Sequence, residues 1–203
     1  ILTEAMLQGG AWRVPAKDMV IFVGPAMGSS AWWACPKANL DGTGTGGDNW
    51  SCLPDDEFTF APGGIFMYDT KGSARNDGYF GGDNGCIDDA TIAASGNGAA
   101  FGSCATHTYT FTPAGKSFKK GVKSRPIITL TNAPGYAAFI GFMKGYYGGE
   151  NTNGTTLPNG GNTTNVYEVM GYANTGTKEY LFVSVDLTAD HSGSSAWSVI
   201  LER

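Results

Sequence analysis

Hydrophobic and polar positions along this chain change places over short distances. Residues 106–112 (Thr-His-Thr-Tyr-Thr-Phe-Thr) alternate with period two, the pattern of a strand with one buried face. Residues 126–131 and 138–142 are apolar blocks on either side of Asn132-Ala133-Pro134-Gly135, and this spacing predicts a hairpin. Further strand candidates cover residues 11–14, 19–23, 57–60, 64–68, 166–172, 179–187 and 196–201, each rich in β-branched or aromatic residues. Residues 2–10 allow one or two helical turns ended by Gly9-Gly10, and no long segment follows a helical period. Three polar loops, residues 39–49, 71–85 and 148–165, separate these blocks. About ten short strands joined by turns and long loops predict an all-β fold, an antiparallel β-sandwich of jelly-roll type, in one domain spanning residues 1–203.

Composition strengthens that picture. Glycine contributes 31 of 203 residues, and each glycine inside a helix costs about 1 kcal/mol relative to alanine. Net charge is -5 and only 15% of residues are charged. An acidic chain is a poor partner for phosphate backbones. The one basic stretch, Lys116, Lys119, Lys120, Lys123 and Arg125, reads as a solvated strand edge or turn, so no nucleic acid is expected as a partner. No stretch is long and apolar enough to suggest a membrane span, and Ile1-Leu2-Thr3 is neither an initiator methionine nor a signal sequence, as in an excised domain or processed product of a longer secreted protein.

Four cysteines lie in two local pairs, Cys35 with Cys52 and Cys86 with Cys104, without the close spacing of zinc or thioredoxin-like sites. Disulfides in an oxidising compartment are expected, the alternative being four buried thiols. Three pairings are formally open; bridging nearest neighbours would clip two glycine-rich loops at about 3 kcal/mol each. Asp41, Asp48, Asn49, Asp83, Asn84, Asp88 and Asp89 offer hard oxygen atoms in such loops, which admits a structural calcium, although the same residues are ordinary turn formers. No other cofactor is expected.

The aromatic residues carry the functional reading. Trp32, Trp33, Trp50, Tyr79, Tyr146 and Tyr147 lie in or beside loops, whereas Trp12, Phe182 and Trp197 sit inside apolar strand patterns. Neighbours in an extended chain point opposite ways, so one ring of Trp32-Trp33 can pack inward while the other faces out. An outward ring beside short polar side chains suits a sugar: the ring covers the apolar face of a pyranose while amides and charged groups meet its hydroxyls. Asp48, Asn49, Asn76, Asp77 and Lys144 are the candidate hydroxyl partners. The alternative is a polysaccharide-cleaving sandwich enzyme, a glycoside hydrolase or lyase, using Asp55, Asp56 or Glu57 as acid or base. Adjacent strand residues face opposite ways, however, so that cluster alone does not build a facing carboxylate pair.

Trp12, Phe22-Val23-Gly24-Pro25, Ala31-Trp32-Trp33-Ala34, residues 55–60, Tyr109-Thr110-Phe111, Ile128-Thr129-Leu130, residues 139–142 and Ala196-Trp197 follow one another in an order that resembles a domain of Bacteroidetes polysaccharide-utilisation systems. Such domains end surface glycan-binding lipoproteins or accompany glycoside hydrolases. The resemblance runs over nearly the whole chain as short motifs. It implies a non-catalytic β-sandwich at the outer-membrane surface or outside the cell, binding a neutral polysaccharide, commonly a β-glucan. The cysteine loops and residues 148–165 are longer than such domains lead one to expect, and their length bears on the glycan site.

Overall fold

A computed structural model describes residues 1–115, 124–144 and 157–203. Its eleven strands are β1 (Ile21–Gly24), β2 (Trp33–Ala34), β3 (Glu57–Ala61), β4 (Ile65–Asp69), β5 (Ser73–Asn76), β6 (Gly85–Asp88), β7 (Cys104–Thr112), β8 (Ile127–Thr131), β9 (Thr164–Asn174), β10 (Glu179–Asp186) and β11 (Ala196–Glu202). Nine form one antiparallel sheet in the order β2-β1-β11-β10-β9-β8-β7-β4-β3, and β5 and β6 pair separately. The all-β antiparallel architecture expected from the sequence is present. From β7 to β11 each strand lies beside the next in sequence, so the order is largely a meander; the β5–β6 hairpin is an excursion between β4 and β7.

The N-terminal segment links distant parts of this ladder. Trp12 bridges Phe58 of β3 and Arg13 bridges Glu202 of β11, both antiparallel. Two residues therefore join the last strand of one end to a strand near the other, and one apolar core runs between. Burial alternates as the period-two pattern requires: Phe58 and Phe60 of β3, Phe66 and Tyr68 of β4, and Tyr167 and Val169 of β9 point inward. Phe58 stacks on Tyr68 with ring centroids 5.0 Å apart. Arg203 holds the seam from outside: its guanidinium lies 4.1 Å from the Trp12 ring centroid and donates to the carbonyls of Met6, Leu7, Gln8 and Gly10, while Nε donates to Glu179 at 2.7 Å.

Two expectations need correction. Residues 138–142 do not form a hairpin with β8, because β9 occupies the place beside it. Their backbone is instead a buried loop satisfied by side chains: the Ala138 amide donates to Asn132 Oδ1, the Ile140 amide donates to the Tyr167 hydroxyl, and Asn165 Nδ2 donates to the Ala138 carbonyl. Polar side chains there replace a ladder. Nor are all four cysteines bridged: one disulfide joins Cys52 to Cys86, whereas Cys35 and Cys104 are buried thiols. Cys104 begins β7, paired with Tyr68 of the large sheet, while Cys86 lies on the separate hairpin that packs beside the loop carrying Cys52. Lys116, Lys119, Lys120 and Lys123 lie outside the described residues; Arg125 reaches Glu168 at 3.6 Å. Among the described residues no helix is long and apolar enough to cross a membrane.

Candidate functional site

Sheet register brings two tryptophans to one face. Val23 of β1 is opposite Trp33 of β2 on one side and Trp197 of β11 on the other, so the two indoles stand in one lateral row. Residues in register share a face of the pleat, and the rings meet at 5.9 Å. Trp50 arrives from the loop after the short helix Lys37–Leu40, its amide donating to the Asn39 carbonyl. Phe142, from the buried loop, completes a ring of four: Trp33–Trp50 5.8 Å, Trp50–Phe142 5.0 Å, Phe142–Trp197 5.1 Å and Trp197–Trp33 5.9 Å. Trp33 is 37% exposed while Trp50 and Trp197 are buried. One ring thus presents itself to solvent and its neighbours fix its tilt.

Above this quartet opens a cavity of about 410 Å³, bordered by Trp33, Trp50 and Trp197 together with Asn39, Gly47, Asp48, Arg75, Asp77 and Asn84. Arg75, on β5, is almost wholly buried. Its guanidinium lies 4.2 Å from the Trp50 ring centroid, Nη1 donates to the Asn49 carbonyl at 3.0 Å and Nη2 donates to Asp77 Oδ1 at 3.2 Å. Lys144 Nζ approaches the other Asp77 oxygen at 3.5 Å and lies 4.9 Å from the Trp197 ring centroid. Asp77 is therefore a shared counterion for two buried cations. A buried guanidinium needs both a partner charge and aromatic contact to offset lost hydration, and burial still holds Arg75 below its ordinary pKa despite Asp77. The Cys52–Cys86 bridge ties the Trp50 loop to the hairpin carrying Arg75, and Cys86 Sγ lies 3.7 Å from the Asn49 carbonyl. The buried Cys35 thiol, pushed up to about 12 chiefly by burial, is no nucleophile at neutral pH.

Of the candidates named from sequence, Trp33, Trp50, Asp48 and Asp77 come together at this cavity, with Lys144 beneath it. Tyr79 is buried against Phe101 at 4.6 Å and lies 5.5 Å from Lys144 Nζ, so it supports the site from behind. Asn49 contributes its carbonyl to Arg75, but its side chain accepts from Ser51 within a turn. Asn76 is corrected from hydroxyl partner to internal brace: fully buried, it donates to the Gly81 and Asp83 carbonyls and accepts from the Phe80 amide. Trp32 is 57% exposed and does not border the cavity. Tyr146 and Tyr147 lie outside the described residues.

The alternative acidic cluster does not present paired carboxylates to one opening. Asp56 is closed from solvent and accepts from the Tyr68 hydroxyl at 2.8 Å; burial raises its pKa well above the ordinary carboxylate value. Glu57 is held between Arg13 at 3.0 Å and Lys71 at 3.2 Å. Three of the aspartates considered for calcium accept from neighbours within the fold: Asp41 from Thr43, Asp88 from the Thr91 amide at a helix start, and Asp89 from the Thr70 hydroxyl. Among the described residues no three His, Cys, Asp or Glu are grouped to hold a metal ion. Two larger hollows, about 500 Å³ beside Glu57 and Tyr68 and about 570 Å³ beside Ile1 and Pro126, have no tryptophan at their edge.

Sequence reasoning missed Arg75 and Trp197, and considered Asn84 only as an oxygen donor to calcium. Arg75 sits in a stretch that looks like loop, and its serine, alanine and asparagine neighbours give no strand pattern; Trp197 looks like core because its apolar neighbours on β11 are core. The Val23 register, which sets Trp33 beside Trp197, was the missing signal. No family model matches the chain, and neither the curated proteins nor the solved structures searched contain a match.

Proposed function

We propose that this chain is a non-catalytic polysaccharide-binding domain, secreted or displayed at a cell surface, and that the cavity over Trp33, Trp50 and Trp197 holds the sugar. The observation that carries this reading is the convergence of an exposed indole, held by two aromatic neighbours, with Asp48, Asp77, Asn84 and Arg75 around one opening. Carbohydrate sites need an apolar plate for the pyranose face and polar groups at its edge for the hydroxyls. Here the plate is the Trp33 ring and the edge is supplied by the loop of residues 46–49 and the β5–β6 hairpin. The disulfide fits an oxidising compartment. Affinity electrophoresis of the purified chain through gels containing a panel of neutral and acidic polysaccharides tests the proposal. Retardation on at least one glycan, lost in Trp33→Ala, is the expected result; free migration on every glycan overturns it.

A further inference from the structure

Arg75 carries more N–H donors than the acceptors around it take up. Of its five, Nη1 uses one on the Asn49 carbonyl and Nη2 one on Asp77; Nε, closed from solvent, has no hydrogen-bond partner among the described residues. The side chain is only 3% exposed, yet it borders the cavity, with its guanidinium carbon over the Trp50 ring. Leaving a buried charged donor unsatisfied is unfavourable, on the order of 1–3 kcal/mol or more for each group, and a guanidinium's preferred carboxylate geometry is a two-oxygen fork. Asp77 does not provide that fork, because its second oxygen is turned to Lys144 at 3.5 Å. Asn84 at the same rim uses its Oδ1 to accept from the Gly78 amide. The carboxylate hydrogen-bonded to Arg75, that of Asp77, is divided between two cations, while Asp48 stands at the rim of the same cavity.

Resting on the glycan-binding reading above, we infer that the ligand is an acidic polysaccharide, and that the carboxylate of a uronic acid unit is bound by Arg75 while the ring of that unit or its neighbour lies on Trp33. Asp48 at the exposed rim is screened by solvent and meets hydroxyls instead. The whole chain carries a net charge of -5, so attraction to a polyanion cannot come from its overall field. It has to come from this local cation, and binding should be specific to the carboxylate.

The test compares polygalacturonate with its fully methyl-esterified form, and both with a neutral β-glucan, by titration calorimetry on the purified chain. Esterification keeps the sugar rings and removes the charge, so no protein variant is required. Binding to polygalacturonate, weakened about 10- to 100-fold by esterification, is the expected outcome. Equal affinity for the two forms, or binding to the β-glucan alone, overturns the carboxylate inference and leaves glycan binding intact. No binding to any of the three, or to the wider gel panel, overturns both.

Discussion

The Arg75 guanidinium and the Trp50 indole lie in cation–π contact, 4.2 Å from group carbon to ring centroid, and neither could hold its place alone. Trp50 belongs to a long loop and Arg75 to a two-stranded hairpin outside the main sheet; their contact, the Asn49 carbonyl and the disulfide are what join these pieces. Energetically the pair splits the roles of the aromatic quartet between display and support.

Trp33→Ala and Trp50→Ala should therefore fail in different ways. Trp33 is partly exposed, and its loss should weaken glycan binding by about 30-fold or more while lowering stability by less than about 1.5 kcal/mol. Trp50 is buried between Phe142, Trp33 and Arg75, so truncation should cost about 3–5 kcal/mol. Paired calorimetric titration and denaturant melts separate the two. Equal destabilisation by both substitutions would make Trp33 a core residue.

The Cys52–Cys86 bridge closes a segment of sequence separation 34. Replacing both cysteines by serine should lower stability by about 3–4 kcal/mol on the loop-entropy estimate. Glycan affinity should fall at temperatures where the fold persists, because the loop carrying Trp50 would no longer be tied to the hairpin carrying Arg75. Urea melts with and without a reducing agent provide the check, and superimposable curves would refute it.

How much of this was legible beforehand follows from range. Strands such as β7 and β9 announce themselves because one face is buried, and period two survives in the sequence. The hairpin misplaced at residues 138–142 shows the limit: its apolar run is as buried as a strand, but its backbone is paired to Asn132, Asn165 and Tyr167 side chains. Trp33, Trp50, Asp48 and Asp77 were recognisable as loop chemistry, whereas Trp197 needed the register of three strands and Arg75 needed a hairpin with no hydrophobic pattern. The cysteine pairing stays open in the sequence for the same reason, since proximity in space is set by the hairpin and not by sequence spacing.

Arg203→Ala should destabilise the chain by about 2–4 kcal/mol, more than an ordinary surface arginine. Its guanidinium serves the carbonyls of residues 6, 7, 8 and 10 and covers Trp12. Hydrogen exchange should show early loss of protection at Trp12 and Arg13 in the variant. Unchanged protection there would mean the bridges to Phe58 and Glu202 hold without it.

His107 gives the fold an acid-sensitive point. Burial lowers its pKa to about 4, and its Nδ1 accepts from the Ala133 amide at 2.9 Å, so the folded state keeps the ring neutral. The unfolded chain takes up a proton near the ordinary value of about 6.5. With the folded pKa depressed, the stabilisation is complete above about pH 6.5 and is lost as pH falls through about 4. His107→Gln keeps an acceptor for Ala133 without a titrating ring, and its melting temperature should decline less across that window. Parallel profiles for the two proteins would place the acid sensitivity elsewhere.

The seam at Trp12 and Arg13 also dictates an order of events during synthesis. It joins β3 to β11, so the earliest segment of the chain cannot complete its contacts until the latest strand exists. A nascent chain made as far as β10 would display β1 and β10 as unpaired edges, each able to recruit a strand from another molecule. Closure is thus a late, long-range step of the kind that slows β-sheet folding, and a shortened chain lacking β11 should be prone to aggregate through those edges.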